Sequence, residues 1–388
     1  MDFSDLLLAN SSCEGGECEL LAFNFTLGDS SDDFASRQIS AEQSLVFKYG
    51  RLFYAYFTPA IIVIGLCGNS LSFNVFISRS MRGLSASQYL AALSISDILV
   101  LVVYVFLDWT TRGLPFLPRN IKLDILAMNG VCHMFLYFSY SLRFISVWLI
   151  VAFTIERYIG VCLPLKKIKI CSRAYARRTI LTYTAVGMVI SLYKPILSGV
   201  YAKEEVGVKV CTFNPEYEFV SNVLDAVFGL AITLVPFLII AVLNVIMVHK
   251  LRMRSKRNKN GMRVHCVVKE NKLRLEMTLI LIGLSTCFIA LNLPYFAVWC
   301  FSRYQTLNGS SNSLADLVTT RGVLYITRTI FYINYCSNFF LYSITGACFR
   351  KELLDLFRYH RLLKRRSFEQ ETRKYSPILK RPSTESSL

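Results

Sequence analysis

Long apolar stretches alternate with short polar segments along most of the chain. Seven of them hold about 20 or more predominantly apolar residues, the length that an α-helix needs to cross the hydrocarbon core of a bilayer. They run approximately from Phe53 to Ile77, Tyr89 to Trp109, Cys132 to Tyr158, Ile180 to Val200, Val220 to Val248, Leu275 to Phe301, and Val323 to Thr345. Open backbone in hydrocarbon would leave peptide groups without hydrogen bonds, so each stretch predicts a helix. The pattern therefore predicts an all-α membrane protein, a seven-transmembrane helix bundle over residues 51–348.

Lys and Arg residues are concentrated in alternate connections between these stretches. Basic connections stay in the cytoplasm, so the bias predicts how the chain is oriented in the membrane. The bases of the first, third and fifth connections include Arg79 and Arg82; Lys166, Lys167, Lys169, Arg173, Arg177 and Arg178; and Lys250, Arg252, Arg254, Lys256, Arg257, Lys259, Arg263 and Arg274. The N-terminus is therefore predicted to be extracellular and the C-terminus cytoplasmic.

The two ends of the chain agree with this orientation. Residues 1–50 are rich in acids and carry N-glycosylation sequons at Asn10 and Asn24, and a third sequon at Asn308 lies in a connection that the charge bias also places outside. We expect residues 1–50 to form an extracellular glycosylated tail without regular structure.

After the seventh stretch the chain is predicted to stay at the inner face of the membrane. Residues 349–360 combine apolar and basic positions in a pattern that predicts an amphipathic helix on the membrane surface, in contact with lipids. Residues 361–388 are basic and polar, which predicts a disordered cytoplasmic tail.

Composition narrows the class of protein. Hydrophobic residues make up 54% of the chain and charged residues 18%, which is too apolar for an ordinary soluble protein. The net charge of +17 comes from short basic runs rather than from one continuous basic face, so a nucleic-acid partner is disfavoured. Five of the twelve cysteines lie within the apolar stretches, where a thiol behaves as a small hydrophobe, which argues against a zinc or dense disulfide framework.

Short motifs occur at consistent depths in six of the seven stretches. They are Gly68-Asn69, Leu93-Ser94-Ile95-Ser96-Asp97, Cys132, Glu156-Arg157-Tyr158, Pro236, Phe288, Pro294, Asn338 and Tyr342. In this order the chain resembles the rhodopsin-like (class A) family of G-protein-coupled receptors over about residues 53–357, and in general appearance the invertebrate neuropeptide receptors. The resemblance implies a non-enzymatic plasma-membrane receptor that couples an extracellular ligand to a heterotrimeric G protein.

The resemblance assigns roles to several of these positions. It implies that Arg157 contacts the G protein on activation and that Glu156 restrains it at rest, and it implies a disulfide between Cys132 and Cys211 that holds an outer loop over the bundle. The full set of residues assigned to G-protein coupling or to the switch is Glu156, Arg157, Tyr158, Asn292, Pro294, Asn338 and Tyr342.

The chain departs from the family pattern at positions that bear on the switch. Asn292 stands where an aromatic is usual, Phe339 where a proline is usual and Asn244 where a tyrosine is usual, and Arg274 replaces a restraining acid. We therefore expect an atypical switch, in which Asn292 contacts Asn334.

Asp97 is an acid in the middle of a predicted span, so it needs polar partners. The resemblance implies that it lines a cavity able to hold a sodium ion. The partners implied are Asn69, Ser146, Asn334 and Asn338. The alternative is that Asp97 is neutral and simply hydrogen-bonded. No other cofactor is expected.

Charged and aromatic residues near the outer ends of the spans are the candidate ligand contacts. They are Asp108, Trp109, Ser139, Tyr140, Arg143, Asp225, Trp299, Arg328 and Tyr332. The acids and bases either meet the ligand or form ion pairs with each other. The third span lacks the aspartate that amine receptors use and the seventh lacks the lysine that retinal needs. Mixed charge with aromatic walls favours a basic or amphipathic peptide, with a lipid or other small anionic ligand as the alternative.

The cytoplasmic tail suggests further protein partners. Serine and threonine among basic residues from Ser367 onward predict phosphorylation and arrestin binding, and the terminal Ser386-Ser387-Leu388 fits a PDZ ligand.

A membrane transporter is the alternative from a different class of protein, because it would also place charges inside a bundle. Transporters usually show internal repeats, and the two halves of this chain show none that is convincing.

Overall fold

A computed structural model describes residues 33–118, 121, 123–202, 209–258, 265–307 and 314–358. Five of its long helices are α1 (Asp33–Phe76), α3 (Asn129–Cys162), α4 (Arg173–Ile190), α6 (His265–Leu307) and α7 (Leu314–Thr345). Helix α2 (85–112) joins Ser85–Leu99 to Phe106–Arg112 through a π-helical turn, Val100–Val105. Helix α5 (218–258) likewise joins Glu218–Gly229 to Val235–Asn258 through Leu230–Leu234. A short helix, α8, covers 347–358.

The predicted number of long helices is confirmed in the described residues. Six of them, α1 to α6, are long and apolar enough to cross a membrane. Helix α7 has 32 residues, about 48 Å at 1.5 Å per residue, which is also long enough, but its charged residues Arg321 and Arg328 lower its hydropathy.

Two predicted boundaries are wrong. Helix α1 begins at Asp33, so residues 33–50 are helical rather than an irregular tail. Hydropathy identifies only the part of a helix that lies in lipid. A polar segment of good helix formers can lengthen the same helix beyond the membrane, and its hydropathy does not show this. The fourth stretch was predicted to stay helical to Val200, but α4 ends at Ile190 and Val200 lies in a β-strand.

That strand belongs to a hairpin over one end of the bundle. Strand β1 (Ser198–Ala202) pairs antiparallel with β2 (Lys209–Phe213), and Val200 lies opposite Cys211. In the hairpin the backbone N–H and C=O groups of β1 form hydrogen bonds with β2. The chain can therefore leave the helix here without unpaired backbone groups. The predicted disulfide between Cys132 and Cys211 is confirmed, with the two Cα atoms 5.6 Å apart. It ties β2 to the first turn of α3.

Replacing Cys132 or Cys211 with serine is expected to reduce surface expression to the same extent. Both substitutions remove the same bond, and loss of a native disulfide typically costs about 2–5 kcal/mol. Flow cytometry of an epitope-tagged chain measures the effect, with Cys67→Ser, an exposed free cysteine, as the control. Unequal losses for the two variants would show that the disulfide is not their common cause.

Helix α3 forms the centre of the bundle, in contact with α2, α4, α5 and α6. Helix α7 packs against α6 and most extensively against α1, where a Cβ at Gly322 would come within 2.7 Å of the Val46 backbone. Glycine is therefore required for this close approach. We call the half of the bundle that carries the disulfide the outer half and the half that carries Glu156 the inner half, following the predicted orientation.

Several predictions fall on residues outside the described part of the chain. These are the sequons at Asn10, Asn24 and Asn308 and the tail from residue 359 to 388. The side chain of Arg274 also lies outside it. The helical part of the predicted amphipathic segment is present as α8, and its position on the membrane surface stays a prediction.

Candidate functional site

A buried carboxylate, Asp108, joins three helices in the outer half. Its Oδ2 atom accepts hydrogen bonds from the hydroxyl of Tyr54 on α1, at 2.7 Å, and from the hydroxyl of Tyr332 on α7, at 2.6 Å. Its Oδ1 atom pairs with Nε of Arg112, one turn later on α2, at 2.9 Å. Arg328 on α7 approaches Oδ2 with Nη1 at 3.5 Å. We call these five residues the Asp108 cluster.

The Asp108 cluster contains one of the ion pairs that the sequence allowed, and a contact between its charges and a ligand stays a prediction. Asp108 and Arg328 pair with each other across α2 and α7, and both are buried. Burying either charge without its partner would cost several kcal/mol. The pair therefore holds α2 against α7 in this conformation.

The second outer acid, Asp225 on α5, pairs with a base that is not among the candidate ligand contacts. Nζ of Lys194 lies 2.7 Å from its Oδ1 atom, and the hydroxyl of Tyr193 donates to the same oxygen at 2.9 Å. Both partners come from the helical turn Tyr193–Leu197 that follows α4. The pair ties this turn to α5, so Asp225 does not pair with Arg143.

Arg143 lies on α3 among aromatic rings. Its Nε donates to the backbone oxygen of Ser139 at 3.0 Å. The centre of its guanidinium is 4.5 Å from the ring centroids of both Tyr104 and Tyr140, and 5.7 Å from that of Phe228. Within the described residues Arg143 forms no ion pair with a carboxylate.

The two candidate tryptophans lie at the walls of the outer half. Nε1 of Trp109 donates to the backbone oxygen of Ala55 on α1 at 2.9 Å. Trp299 on α6 stacks near Phe296, with the guanidinium of Arg303 at 5.5 Å from its ring. Trp109 therefore joins α1 to α2, while Trp299 remains half-buried near the opposite side.

Asp97 lies at mid-depth with two of its predicted partners. Its Oδ1 atom accepts from the hydroxyl of Ser146 on α3 at 2.7 Å, and its Oδ2 atom from Nδ2 of Asn338 on α7 at 2.6 Å. Asn69 instead donates to the backbone oxygen of Tyr335 on α7 at 2.7 Å. Asp97 thus links α2, α3 and α7, and Asn69 links α1 to α7.

Glu156 and Arg157 form the predicted pair at the inner end of α3. Nε of Arg157 lies 2.8 Å from Oε2 of Glu156, whose Oε1 accepts from the hydroxyl of Ser85 at the start of α2. Glu156 is only 2% exposed, so the pair is shielded from water. Arg157 also contacts α2, because its Nη2 atom lies 3.4 Å from the hydroxyl of Ser85.

The sequence of the chain matches a known protein family and resembles known receptors. The model of the family described as "7 transmembrane receptor (rhodopsin family)" matches residues 68–342. The chain belongs to this family. The receptor is 22% identical over 353 residues to C-C chemokine receptor type 9 of Homo sapiens, covering 86% of this chain and 88% of the relative. It is 23% identical over 315 residues to C-C chemokine receptor type 9 of Ovis aries, covering 78% of each.

Membership sets the general role of the receptor. Proteins of this family are multi-pass plasma-membrane receptors, not enzymes, and the family implies an extracellular ligand and a heterotrimeric G protein as partners. This excludes the transporter alternative.

Asn292 and Phe339, two of the positions that depart from the family pattern, form contacts of their own in the receptor. Nδ2 of Asn292 donates to the Phe288 backbone oxygen at 2.7 Å, so the expected contact with Asn334 is absent among the described residues. Phe339 packs on Phe349 of α8, with 6.1 Å between ring centroids.

The remaining switch residues lie at or below mid-depth. Pro294 lies inside α6, and Tyr158 is half-buried at the inner end of α3. Tyr342 is fully buried, with its ring 5.1 Å from that of Phe76 in an edge-on arrangement. This packing joins α7 to α1 below Asp97.

Some residues of these clusters were missed by the sequence reasoning. Lys194 carried a detectable signal, since it is a base inside the fourth apolar stretch, and Arg112 follows Asp108 at helical i,i+4 spacing. Tyr54 carried none, because it is one of 21 tyrosines in the chain. Ser85 carried none either, because a serine at a helix start is read as a cap.

Replacing Glu156 with glutamine is expected to raise signalling in the absence of ligand. The change removes the charge that holds Arg157 while keeping an oxygen that can accept from Ser85. A rise from 1% to 10% active receptor needs only about 1.4 kcal/mol. Basal G-protein activation at matched surface expression measures it, with Ser85→Ala as a milder companion variant. A basal signal unchanged in Glu156→Gln would contradict the restraint.

Proposed function

We propose that the receptor binds an extracellular peptide of the neuropeptide kind in its outer half and responds by activating a heterotrimeric G protein. The observation that carries this proposal is the distribution of polar groups in the bundle. Charged and aromatic side chains from α2, α3, α5, α6 and α7 gather in the outer half, and Arg157 is held by Glu156 at the inner end.

Several observations support a peptide rather than a small amine. The two relatives are named as receptors for chemokines, which favours a polypeptide ligand. The outer half offers both signs of charge beside aromatic rings. Asp108 and Asp225 are each held by bases of the receptor, so a basic group on the ligand would have to displace Arg328 or Lys194.

Activation in this proposal frees Arg157 to contact the G protein. An outward movement of the inner half of α6, bent at Pro294, opens the groove that a G-protein helix occupies. The inner half would face the cytoplasm and the N-terminus the outside, as the basic connections and the sequons indicate. The phosphorylated tail would recruit an arrestin, and the terminal Ser386-Ser387-Leu388 a PDZ domain.

A screen in cells tests this function. The receptor is expressed with a panel of G-protein dissociation sensors and exposed to a library of synthetic neuropeptides. At least one peptide is expected to dissociate at least one G protein, with no response from Arg157→Ala at matched surface expression. Responses from both forms, or a response to a lipid or amine library alone, would contradict the proposal.

We also propose that Asp97 holds a sodium ion. Its carboxylate and the hydroxyl of Ser146 supply oxygen ligands suited to a hard cation, and the buried Oδ1 of Asn69 accepts no hydrogen bond in the described structure. The described residues hold no group of three or more His, Cys, Asp or Glu, so this is a single-carboxylate site.

Sodium is expected to stabilise the purified receptor through Asp97. The midpoint of thermal unfolding should rise between 1 and 150 mM NaCl relative to choline chloride at equal ionic strength, because an ion that binds only the folded state stabilises it. Asp97→Asn should lose this difference. Equal midpoints in sodium and choline for the unmodified receptor would contradict the site.

A further inference from the structure

We propose that Arg143 is the anchor for a carboxylate of the ligand. This inference rests on the proposed function and refines it, because it names the chemical group that the deepest part of the outer half recognises. It concerns Arg143 and the three rings around it, those of Tyr104, Tyr140 and Phe228, which we call the Arg143 pocket.

The depth of Arg143 suits the leading end of a ligand. It lies 11 residues after Cys132 on α3, about 16 Å further into the bundle than the disulfide. Its neighbours in sequence, Leu142 and Phe144, are buried, whereas Arg143 is only half-buried. Its closest rings come from α2, α3 and α5, so its exposed part faces the inside of the bundle rather than lipid.

The guanidinium of Arg143 has donors to spare. It carries five N–H donors in a planar fork, and Nε uses one of them on the Ser139 backbone oxygen. The groups with the strongest electrostatic influence on it are the side chains of Tyr104, Tyr140, Tyr335 and Tyr295, none of which is a carboxylate. A carboxylate is the group that this fork pairs with in two parallel hydrogen bonds.

The charges around the Arg143 pocket also favour a carboxylate of the ligand. Nζ of Lys194 lies 4.5 Å from the centroid of Tyr140, the same ring that Arg143 approaches at 4.5 Å. Asp225 is the one carboxylate of this region in the described structure, and Lys194 already neutralises it. The two cations therefore share the ring of Tyr140, and the carboxylate beside them pairs with Lys194 and not with Arg143. A positive charge in a shielded site is unfavourable until an anion joins it, so an anionic ligand group gains more here than in water.

The aromatic rings define what else the anion carries. The ring of Tyr140 lies 4.6 Å from that of Phe228, and the two form an apolar surface beside the guanidinium. A carboxylate on a short apolar or aromatic stem fits this surface better than a bare inorganic anion. A peptide supplies such a group at a C-terminal apolar residue or at an Asp or Glu side chain next to one.

A matched pair of fragments tests the pocket without knowledge of the ligand. The probes are N-acetyl-L-phenylalanine and its primary amide, which differ in charge and hardly in shape. Ligands of this size reach dissociation constants on the order of 1 mM. Ligand-observed NMR of the receptor in lipid nanodiscs should give a constant at least fivefold lower for the acid than for the amide.

Three variants make the test specific. Arg143→Gln should remove the preference for the acid, Arg143→Lys should keep a reduced preference, and Arg178→Gln should leave it unchanged as a control, because Arg178 is an exposed arginine at the inner part of α4. Arg143→Lys keeps the charge, so it reports on the pocket even if Arg143→Gln does not fold. Equal binding of acid and amide up to 10 mM, or a preference that survives in Arg143→Gln, would overturn the proposal.

An agonist peptide from the screen would then locate the carboxylate. Its C-terminal amide and its Asp→Asn or Glu→Gln analogues are titrated on the unmodified receptor and on Arg143→Gln. One analogue should lose at least tenfold in potency on the unmodified receptor and less than threefold on Arg143→Gln; purely additive losses for all analogues would overturn the pairing. A fragment preference without any active peptide would keep the Arg143 pocket and contradict the peptide proposal instead.

Discussion

Arg157→Ala is expected to abolish agonist-driven G-protein activation while agonist affinity measured without G protein changes by less than about threefold. Arg157 lies 14 residues after Arg143 on α3, about 21 Å deeper, so its loss does not touch the outer half directly. It is also held by Glu156 and Ser85 rather than by any group near the outer clusters. Arg157→Ala should therefore lose G-protein activation and keep agonist binding.

The measurement compares agonist binding with G-protein dissociation in the same membranes. Arg178→Ala is the matched control, because Arg178 is an exposed arginine at the inner part of α4. Its effect on either quantity should be small, as for most exposed substitutions. Normal coupling by Arg157→Ala would show that another group carries the contact with the G protein.

Asp108→Leu is expected to be among the most destabilising single substitutions in the receptor. It leaves Arg328 in a buried site without its carboxylate, a change that typically costs about 3–5 kcal/mol. Surface expression and the thermal midpoint of purified receptor should both fall sharply. Asp355→Leu is the control, because Asp355 forms an exposed pair with Arg358 at 3.7 Å, and such pairs contribute little.

The double variant Asp108→Leu with Arg328→Leu separates the charge effect from a loss of shape. Removing both charges should recover part of the stability that Asp108→Leu loses, because Arg328 no longer remains buried without a partner, whereas Arg112 still lacks the Asp108 carboxylate. If the double variant is as unstable as the sum of the two single variants, Asp108 and Arg328 are not coupled and the ion pair does not hold α2 against α7.

The sequence was sufficient for features that depend on local chemistry. Long apolar stretches predict the spanning helices because the bilayer leaves no other way to satisfy the backbone. Glu156 and Arg157 are adjacent, so their pairing needs no knowledge of the bundle. Cys132 and Cys211 were paired through the family resemblance.

Features that depend on which helices meet could not be read from the sequence. Lys194 rather than Arg143 reaches Asp225 because the chain turns after Ile190 and brings Tyr193–Leu197 beside α5. Tyr54 reaches Asp108 because α1 lies beside α2 and α7. The π-helical turn Val100–Val105 also escapes any periodicity argument, and it changes the direction in which the following Asp108 points.

The most direct test of the central claim uses purified components and no ligand. The receptor in lipid nanodiscs is mixed with each class of purified heterotrimeric G protein, and the rate of uptake of a non-hydrolysable GTP analogue is measured. At least one class is expected to take up nucleotide faster with the receptor than with empty nanodiscs, faster still with Glu156→Gln, and at the background rate with Arg157→Ala. Uptake at the background rate for every class in all three forms, or an acceleration that Arg157→Ala preserves, would contradict the claim that this chain passes a signal to a G protein through Arg157.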